Sequence, residues 1–467
     1  MKKFLSILAC ACVLTVSAQE RLTEYVNPFV GTDGYGNVYP GAQLPFGGIQ
    51  ISPDTDSDYY DAAAGYKYSH PTLLGFSLTH LSGTGIPDLG DFLFIPGTGE
   101  IKTVPGTHEK PEEGYRSRYS HDKEWASPGY YGVELTDYGV KAEMTSALRS
   151  GMFRFTYPKS EKAFLMIDMN HTLWQKCPWA NLRQINDSTI VGYKLVKGWG
   201  PERHIYFAAT FSCKLDGFNI LQDGKPVIYN TSRFRSHMEA WGANLMACLR
   251  FQSTEGQEIY VKTAVSGVST AGALENLKEL DGLTFDDVRK NADQLWEKEL
   301  GKYQMKGDLK AKQTFYTSVY HTALHPFIFQ DADGNYRGLD KNIQKAEGFT
   351  NYTTFSLWDT YRAFHPLLNL VNQPLQADIA NSMLAHYDKS VEHMLPFWSF
   401  YGNETWCMIG YHSCSVLADM IVKGVKGFPI GLIGLIGLIA PYLELFPQTK
   451  RAATFRCSSF LRVRPLD

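Results

Sequence analysis

The sequence predicts a multidomain β + α protein, an N-terminal antiparallel β-sandwich followed by a helical domain. Three observations carry this. The chain has 467 residues, more than one hydrophobic core normally serves. Short alternating apolar runs recur up to about Thr270, with turn residues between them. From Ala271 onward the apolar period changes to helical spacing.

The first residues read as an export signal. Lys2 and Lys3 form a basic start, Phe4 to Val16 an apolar core, and Val16-Ser-Ala18 a small-residue cleavage site. Cys10 leaves almost no apolar core before it, so residues 1–18 are expected to be removed as a signal peptide, with lipidation at Cys10 as the alternative. The expected location is then outside the cytoplasm, periplasmic or at the cell surface.

The sandwich is assigned to residues 19–270. Its clearest strands are Gly151 to Tyr157, Ala163 to Asp168, His204 to Phe211 and Glu258 to Val265. Clusters such as Asp216-Gly217 and Asp223-Gly224 supply the turns between strands. A helical linker follows over 271–308, with helices from Ala273 to Leu280 and from Phe285 to Leu300. Asp286 and Asp287 in the first turn of the second suit the helix dipole. The helical domain, 309–427, is expected to hold helices at about Ala311 to Phe329, Thr353 to Val371, Gln376 to Met394 and Met408 to Lys423. Asp331 to Asn335 is read as a polar turn.

The tail, 428–467, departs from this pattern. Gly431-Leu-Ile-Gly-Leu-Ile-Gly-Leu-Ile439 repeats every three residues, which matches neither helix nor strand. An aberrant, frameshifted segment is the expectation there. Pro429, Pro441 and Pro447 flank a run too short for a comfortable membrane span, so no membrane span is expected.

Composition narrows the chemistry. A net charge of −3 gives no electrostatic reason to expect nucleic acid. Aromatic residues make up 13% of the chain, and flat rings with polar rims suit the apolar face of a pyranose. Cys177, Cys213, Cys248, Cys407, Cys414 and Cys457 lack the paired spacing of zinc sites and are read as free thiols. No metal ligands are assigned. His321 and His325, four apart, are read as core or capping residues because Pro326 ends their helix. Asp331, Asp333 and Asn335 begin like a calcium loop, but Tyr336 stands where the required glycine belongs.

Four segments combine polar and aromatic groups in a way that suits a sugar. The stretch from Gly31 to Thr55 is dense in glycine and proline and is read as a long ordered loop. The loop His80 to Asp91 brings His80, Asp88 and Asp91 near one another. In Ser356 to Pro366, Trp358, Asp359 and Arg362 place a ring, an acceptor and a forked donor within one helical turn. Gly402 to His412 adds Glu404 and Trp406 in a loop leading to a helix. Each of these groups also has a structural use, in turns, caps or buried ion pairs.

Together the motifs Tyr25-Val-Asn-Pro-Phe-Val-Gly-Thr32, Pro40-Gly-Ala42 through Pro53-Asp-Thr55, Thr79-His-Leu-Ser-Gly-Thr-Gly85, Trp358-Asp-Thr-Tyr-Arg362 and Gly402-Asn-Glu-Thr405 resemble glycoside hydrolase family 92. The resemblance runs from about Tyr25 to Gly427. It implies a β-sandwich on an (α/α)6 toroid, and a calcium-dependent, exo-acting, inverting α-mannosidase that trims N-glycans or yeast mannan. It also implies α-mannose-containing glycans as partners. Asp359 matches the residue expected to hold the terminal mannose, supported by Trp358 and Arg362, with His80, Asp88 and Glu404 as further substrate-binding candidates.

The family's acid, base and calcium ligands come from later motifs, and no matching stretch follows Met408. The toroid is therefore expected to be incomplete, the chain inactive, no catalytic residue assignable and calcium not bound. Exposed apolar helix faces are expected to make it poorly soluble. The alternative from another class is a non-catalytic carbohydrate-binding or surface protein.

Overall fold

The structure is a computed structural model that describes residues 20–57, 60–227 and 238–431. The expected export signal and all but the first four residues of the tail lie outside the described residues. Cys457 does too.

Alternation of side chains dictates the N-terminal architecture. One antiparallel sheet has seven strands in the order Ser52–Asp54, Gly75–Ser77, Leu93–Thr98, Ser160–Asp168, Leu245–Ser253, Phe218–Gln222 and Lys225–Pro226. The other has nine, in the order Glu239–Gly242, Lys176–Gln184, Thr189–Lys197, Arg203–Phe211, Gln257–Ser266, Ser150–Tyr157, Val140–Ser146, Tyr130–Leu135 and Glu124–Ser127. The four strands read most clearly from the sequence are all present. The inner faces meet in one core, in which Phe76 and Phe94 of the first sheet pack on Phe153 and Phe155 of the second. Phe94 and Phe153 lie 4.8 Å apart between ring centroids, a packing distance at which aromatic pairs attract.

Two linker helices follow. α1, Thr270–Leu277, is capped by Ser269 and lays Ala273 against Val191 and Ala208 on the outside of the larger sheet. α2, Phe285–Leu300, opens with a capping box in which Thr284 and Asp287 satisfy each other's backbone N–H groups.

A second core forms beyond it. α2 contributes Trp296 and Leu300, and α3, Leu309–Thr322, contributes Tyr316, Val319 and Tyr320. α4, Leu357–Thr360, α5, Phe364–Val371, α6, Gln373–Lys389, and α7, His412–Val422, complete the described part of the toroid. Val26 and Phe46, from the N-terminal loops, are buried in this same core. Among the described residues no helix is long and apolar enough to cross a membrane. Leu370, Val391 and Ile409 stand largely exposed on the helical domain.

Several helix limits differ from those expected. α3 stops at Thr322, and Phe327–Ile328 instead forms a short strand with Tyr352–Thr353. Pro326 excludes its predecessor from helical backbone, which accounts for the break. The expected helix over 353–371 divides into α4 and α5. α7 begins at His412 because Trp406 and Met408 adopt positive φ, which no helix tolerates. His321 and His325 are half-buried, and the partial burial of their rings lowers their pKa values to about 4 and about 3. Both rings are neutral packing elements at physiological pH.

Asp331 ties the linker to the helical domain. It is 2% exposed and accepts hydrogen bonds from Ser266 Oγ at 2.7 Å and Asn276 Nδ2 at 2.8 Å. Burial raises its pKa to about 6, against the pull of those two donors. An unfolded aspartate titrates near 3.9, so between about 4 and about 6 the folded state binds more protons than the unfolded one. Its contribution to stability therefore falls as pH rises through that window, by roughly 3 kcal/mol in total. Isothermal urea unfolding across pH 4 to 6.5 is expected to show this slope flattened in Asp331→Asn relative to the parent. Identical slopes would refute it.

Candidate functional site

The candidate site lies where sandwich loops meet the helical domain, and it is built on a buried ion cluster. The larger sheet points Lys194 and Arg203 inward, in phase with Ile190 and Val196 on one strand and with Ile205 and Phe207 on the next. Both charged residues are fully buried. Asp91 meets them: it pairs with Arg203, lies 2.9 Å from Lys194 Nζ and accepts from Thr79 Oγ1 at 2.7 Å. Asp88 lies 3.3 Å from the same guanidinium. Burial works to raise the Asp91 pKa, but Arg203 and Lys194 outweigh it and hold the carboxyl below the usual range. At Asp88 burial wins over Arg203, and the pKa is raised.

His80 belongs to a neighbouring network. Its Nε2 meets Asp54 Oδ1 at 2.8 Å, and its Nδ1 meets the Gln50 carbonyl at 2.8 Å. His171 Nε2 reaches the other Asp54 oxygen at 2.8 Å. Burial would raise the Asp54 pKa, yet the two imidazoles keep it well below normal. With His80 0% and Asp88 1% exposed, both act as buried framework for their loop, and neither presents an atom to solvent.

The helical domain reaches this framework through the hairpin Ser399–Phe400 and Asn403–Glu404. The Arg203 guanidinium lies 5.5 Å from the Tyr401 ring centroid. Trp199 of the sandwich packs on Trp398 at 4.2 Å and on Phe400 at 5.3 Å. A side chain on Gly200 would come within 2.9 Å of Phe400, so this approach requires glycine. Lys341 Nζ donates to the Gly402 carbonyl at 2.8 Å, to Asn403 Oδ1 at 2.6 Å and to the Glu202 carbonyl at 3.1 Å, binding the two domains together.

Glu404 organises the hairpin. Its carboxylate accepts from the backbone N–H of Phe397 and Trp398 at 2.9 Å each and of Trp406 at 3.0 Å. Burial opposes its charge, but His386 at 3.4 Å and the backbone donors prevail, and its pKa is lowered.

Trp398 links the hairpin to α4. Its Nε1 donates to Ser356 Oγ at 2.9 Å, and Ser356 Oγ donates to Asp359 Oδ2 at 2.5 Å. Trp358 is half-buried, with the Arg362 guanidinium 5.4 Å from its ring centroid. Asp359 and Arg362 are exposed. Of the six residues chosen from the sequence, then, Trp358, Asp359 and Arg362 form one accessible group. Glu404 and Asp88 stand behind it, connected through Trp398 and through Arg203 with Tyr401, while His80 sits in the adjoining Asp54 network.

Comparison with known proteins gives this arrangement its family. Residues 25–266 match the glycosyl hydrolase family 92 N-terminal domain, and residues 272–433 match the family 92 catalytic domain. The chain belongs to glycoside hydrolase family 92. A solved family 92 α-mannosidase from Bacteroides thetaiotaomicron is 78% identical, with a TM-score of 0.86, over 88% of this chain and 55% of that one. The same enzyme has been solved in complex with mannoimidazole. A family 92 glycosyl hydrolase named ccman5 is 25% identical, with a TM-score of 0.76, over 87% of this chain and 55% of that one. An uncharacterised secreted glycosidase of Arthroderma benhamiae is 25% identical over 365 residues, 73% of this chain and 45% of that one. The chain thus spans about half the length of these relatives.

The acidic run that begins like a calcium loop, Asp331 to Asn335, is used within the fold. Asp331 is committed to Ser266 and Asn276, and Asp333 accepts from Asn335. The one group of three metal-ligating side chains among the described residues, Asp56, His70 and His108, supplies two nitrogens and one carboxylate.

Proposed function

We propose that this chain carries the terminal-mannose recognition half of an exported, exo-acting, inverting α-mannosidase that works on N-glycan or mannan α-mannosides. The supporting observation is the 78% identity to the Bacteroides α-mannosidase, maintained across 88% of this chain. That relative's complex with mannoimidazole supports a mannose-shaped ligand. The secreted fungal relative supports export.

In this reading Asp359 accepts hydrogen bonds from the sugar hydroxyls, Arg362 donates to them, and Trp358 offers its face to the apolar side of the ring. Asp88 and Glu404 hold the surrounding loops in place, and His80 holds the loop beneath them. Inversion needs one carboxylic acid and one carboxylate base about 6.5–9.5 Å apart. Asp54, Asp91 and Glu404 are each kept ionised by bound partners, and Asp88, although raised, is shielded from solvent. Neither proton-transfer role falls to these four carboxyl groups.

Calorimetric titration of the purified chain with mannoimidazole is expected to show binding that Asp359→Ala weakens at least tenfold. Equal binding by the variant would remove Asp359 from the site. No release of the phenol from an aryl α-mannoside is expected from this polypeptide, and measurable turnover would overturn the recognition-only reading.

A further inference from the structure

We propose that Asp56, His70 and His108 form a binding site for one zinc-class divalent transition-metal ion, on the sandwich loops and separate from the sugar site. Three distant stretches of sequence meet here: Asp56 follows the strand Ser52–Asp54, His70 precedes the strand Thr72–Leu73, and His108 lies in the loop before Ser117–Arg118. Their ligand atoms all lie within 4.8 Å of one another. Ligands held about 2.0–2.1 Å from zinc at tetrahedral angles sit roughly 3.3 Å apart. His108 Nε2 and Asp56 Oδ2 are already 3.3 Å apart, so only His70 has to move inward.

The surroundings orient the ligands as metal sites do, through the ring nitrogen that does not face the ion. His70 Nδ1 meets Thr55 Oγ1 at 3.0 Å, and His108 Nδ1 meets Thr72 Oγ1 at 2.8 Å. Thr55 has its own acceptor in the Gly65 carbonyl at 3.3 Å, so it can receive the His70 Nδ1–H and leave Nε2 with its lone pair. The two rings lie 4.4 Å apart.

Two imidazole nitrogens and one carboxylate suit zinc, copper or nickel and are a poor set for calcium or magnesium. Three protein ligands leave a fourth position open to water or another donor. Arg116, which donates to Thr72 Oγ1 at 3.3 Å, and Lys67, whose charge also acts on His70, are the groups that oppose a cation here. Arg116 Nη1 also lies 3.5 Å from His108 Nδ1, so it competes with Thr72 for that ring and limits the affinity for a cation.

The test uses the whole chain, stripped with chelator and titrated calorimetrically with zinc, calcium and magnesium chlorides. One equivalent of zinc is expected to bind, with calcium and magnesium giving no heat at the same concentrations. The cobalt derivative should lack the thiolate charge-transfer absorption that binding at a cysteine would give. His70→Ala/His108→Ala is expected to weaken zinc at least tenfold while keeping the parent far-ultraviolet circular dichroism. Should that pair fail to fold, Asp56→Asn must show the same weakening. Zinc affinity unchanged in whichever variant folds, absence of zinc binding in the parent, or a thiolate spectrum would each overturn the proposal.

Discussion

Replacing Arg203 with Met is expected to destabilise the sandwich by about 3–5 kcal/mol, because it strands two buried carboxyl groups beside a single remaining cation. Arg203 is fully buried and faces both Asp91 and Asp88. Methionine fills much of the volume, so lost packing is the smaller part of the effect. Lys194 lies 2.9 Å from Asp91, whereas Asp88 pairs with Arg203 itself. Urea unfolding at pH 7.5, followed by tryptophan fluorescence, checks the magnitude.

A pH comparison separates charge from volume. In the parent, Asp91 has a depressed pKa, so its contribution is complete above the unfolded value near 3.9 and disappears as pH falls through the folded value. In the variant, loss of the guanidinium raises both carboxyl pKa values. The deficit against the parent should therefore shrink between pH 7.5 and 4.5. A deficit independent of pH would mean that Arg203 matters for shape alone.

Trp296→Ala is expected to cost a similar amount, about 3–5 kcal/mol, concentrated in the helical core. Trp296 is fully buried, its ring lies 4.6 Å from that of Tyr320, and its Nε1 donates to the Gln43 carbonyl at 2.7 Å. Truncation opens a cavity and also leaves that buried carbonyl without the indole donor. Trp296→Phe keeps most of the packing and loses the hydrogen bond, so a smaller cost of roughly 1–2 kcal/mol is expected from it. Equal losses from the two variants would assign the effect to the hydrogen bond.

The architecture was largely legible in the sequence because alternation and helical periodicity report burial directly, and in this chain they change at one place. The ends of helices were less so. The break after Thr322 and the late start of α7 depend on Pro326 and on positive φ at Trp406 and Met408, which periodicity does not encode. At the site, Trp358, Asp359 and Arg362 could be found because one helical turn brings them together. His80 and Asp88 drew attention as polar loop residues, whereas their fully buried state follows from partners 26 and 115 residues away. Lys194 and Arg203 did leave a signal, since each places a cation at an inward position of an otherwise apolar alternation. A charge in that phase demands a buried counter-charge. The histidines of the proposed metal site are 38 positions apart, and no spacing rule joins them.

The N-terminal loops close onto helices that come very much later in the chain. Thr23 Oγ1 donates to Glu297 Oε1 at 2.7 Å and Arg21 reaches Asp293 at 2.7 Å, across separations of 274 and 272 residues. During synthesis at about 5–20 residues per second, the first ordered segment must wait tens of seconds for its partner. Joining ends that far apart also carries an entropic cost that only subsequent contacts repay, which slows acquisition of the native topology. Val26 and Phe46 are apolar surface throughout that interval, so the nascent chain depends on whatever shields them until α2 and α3 have left the ribosome.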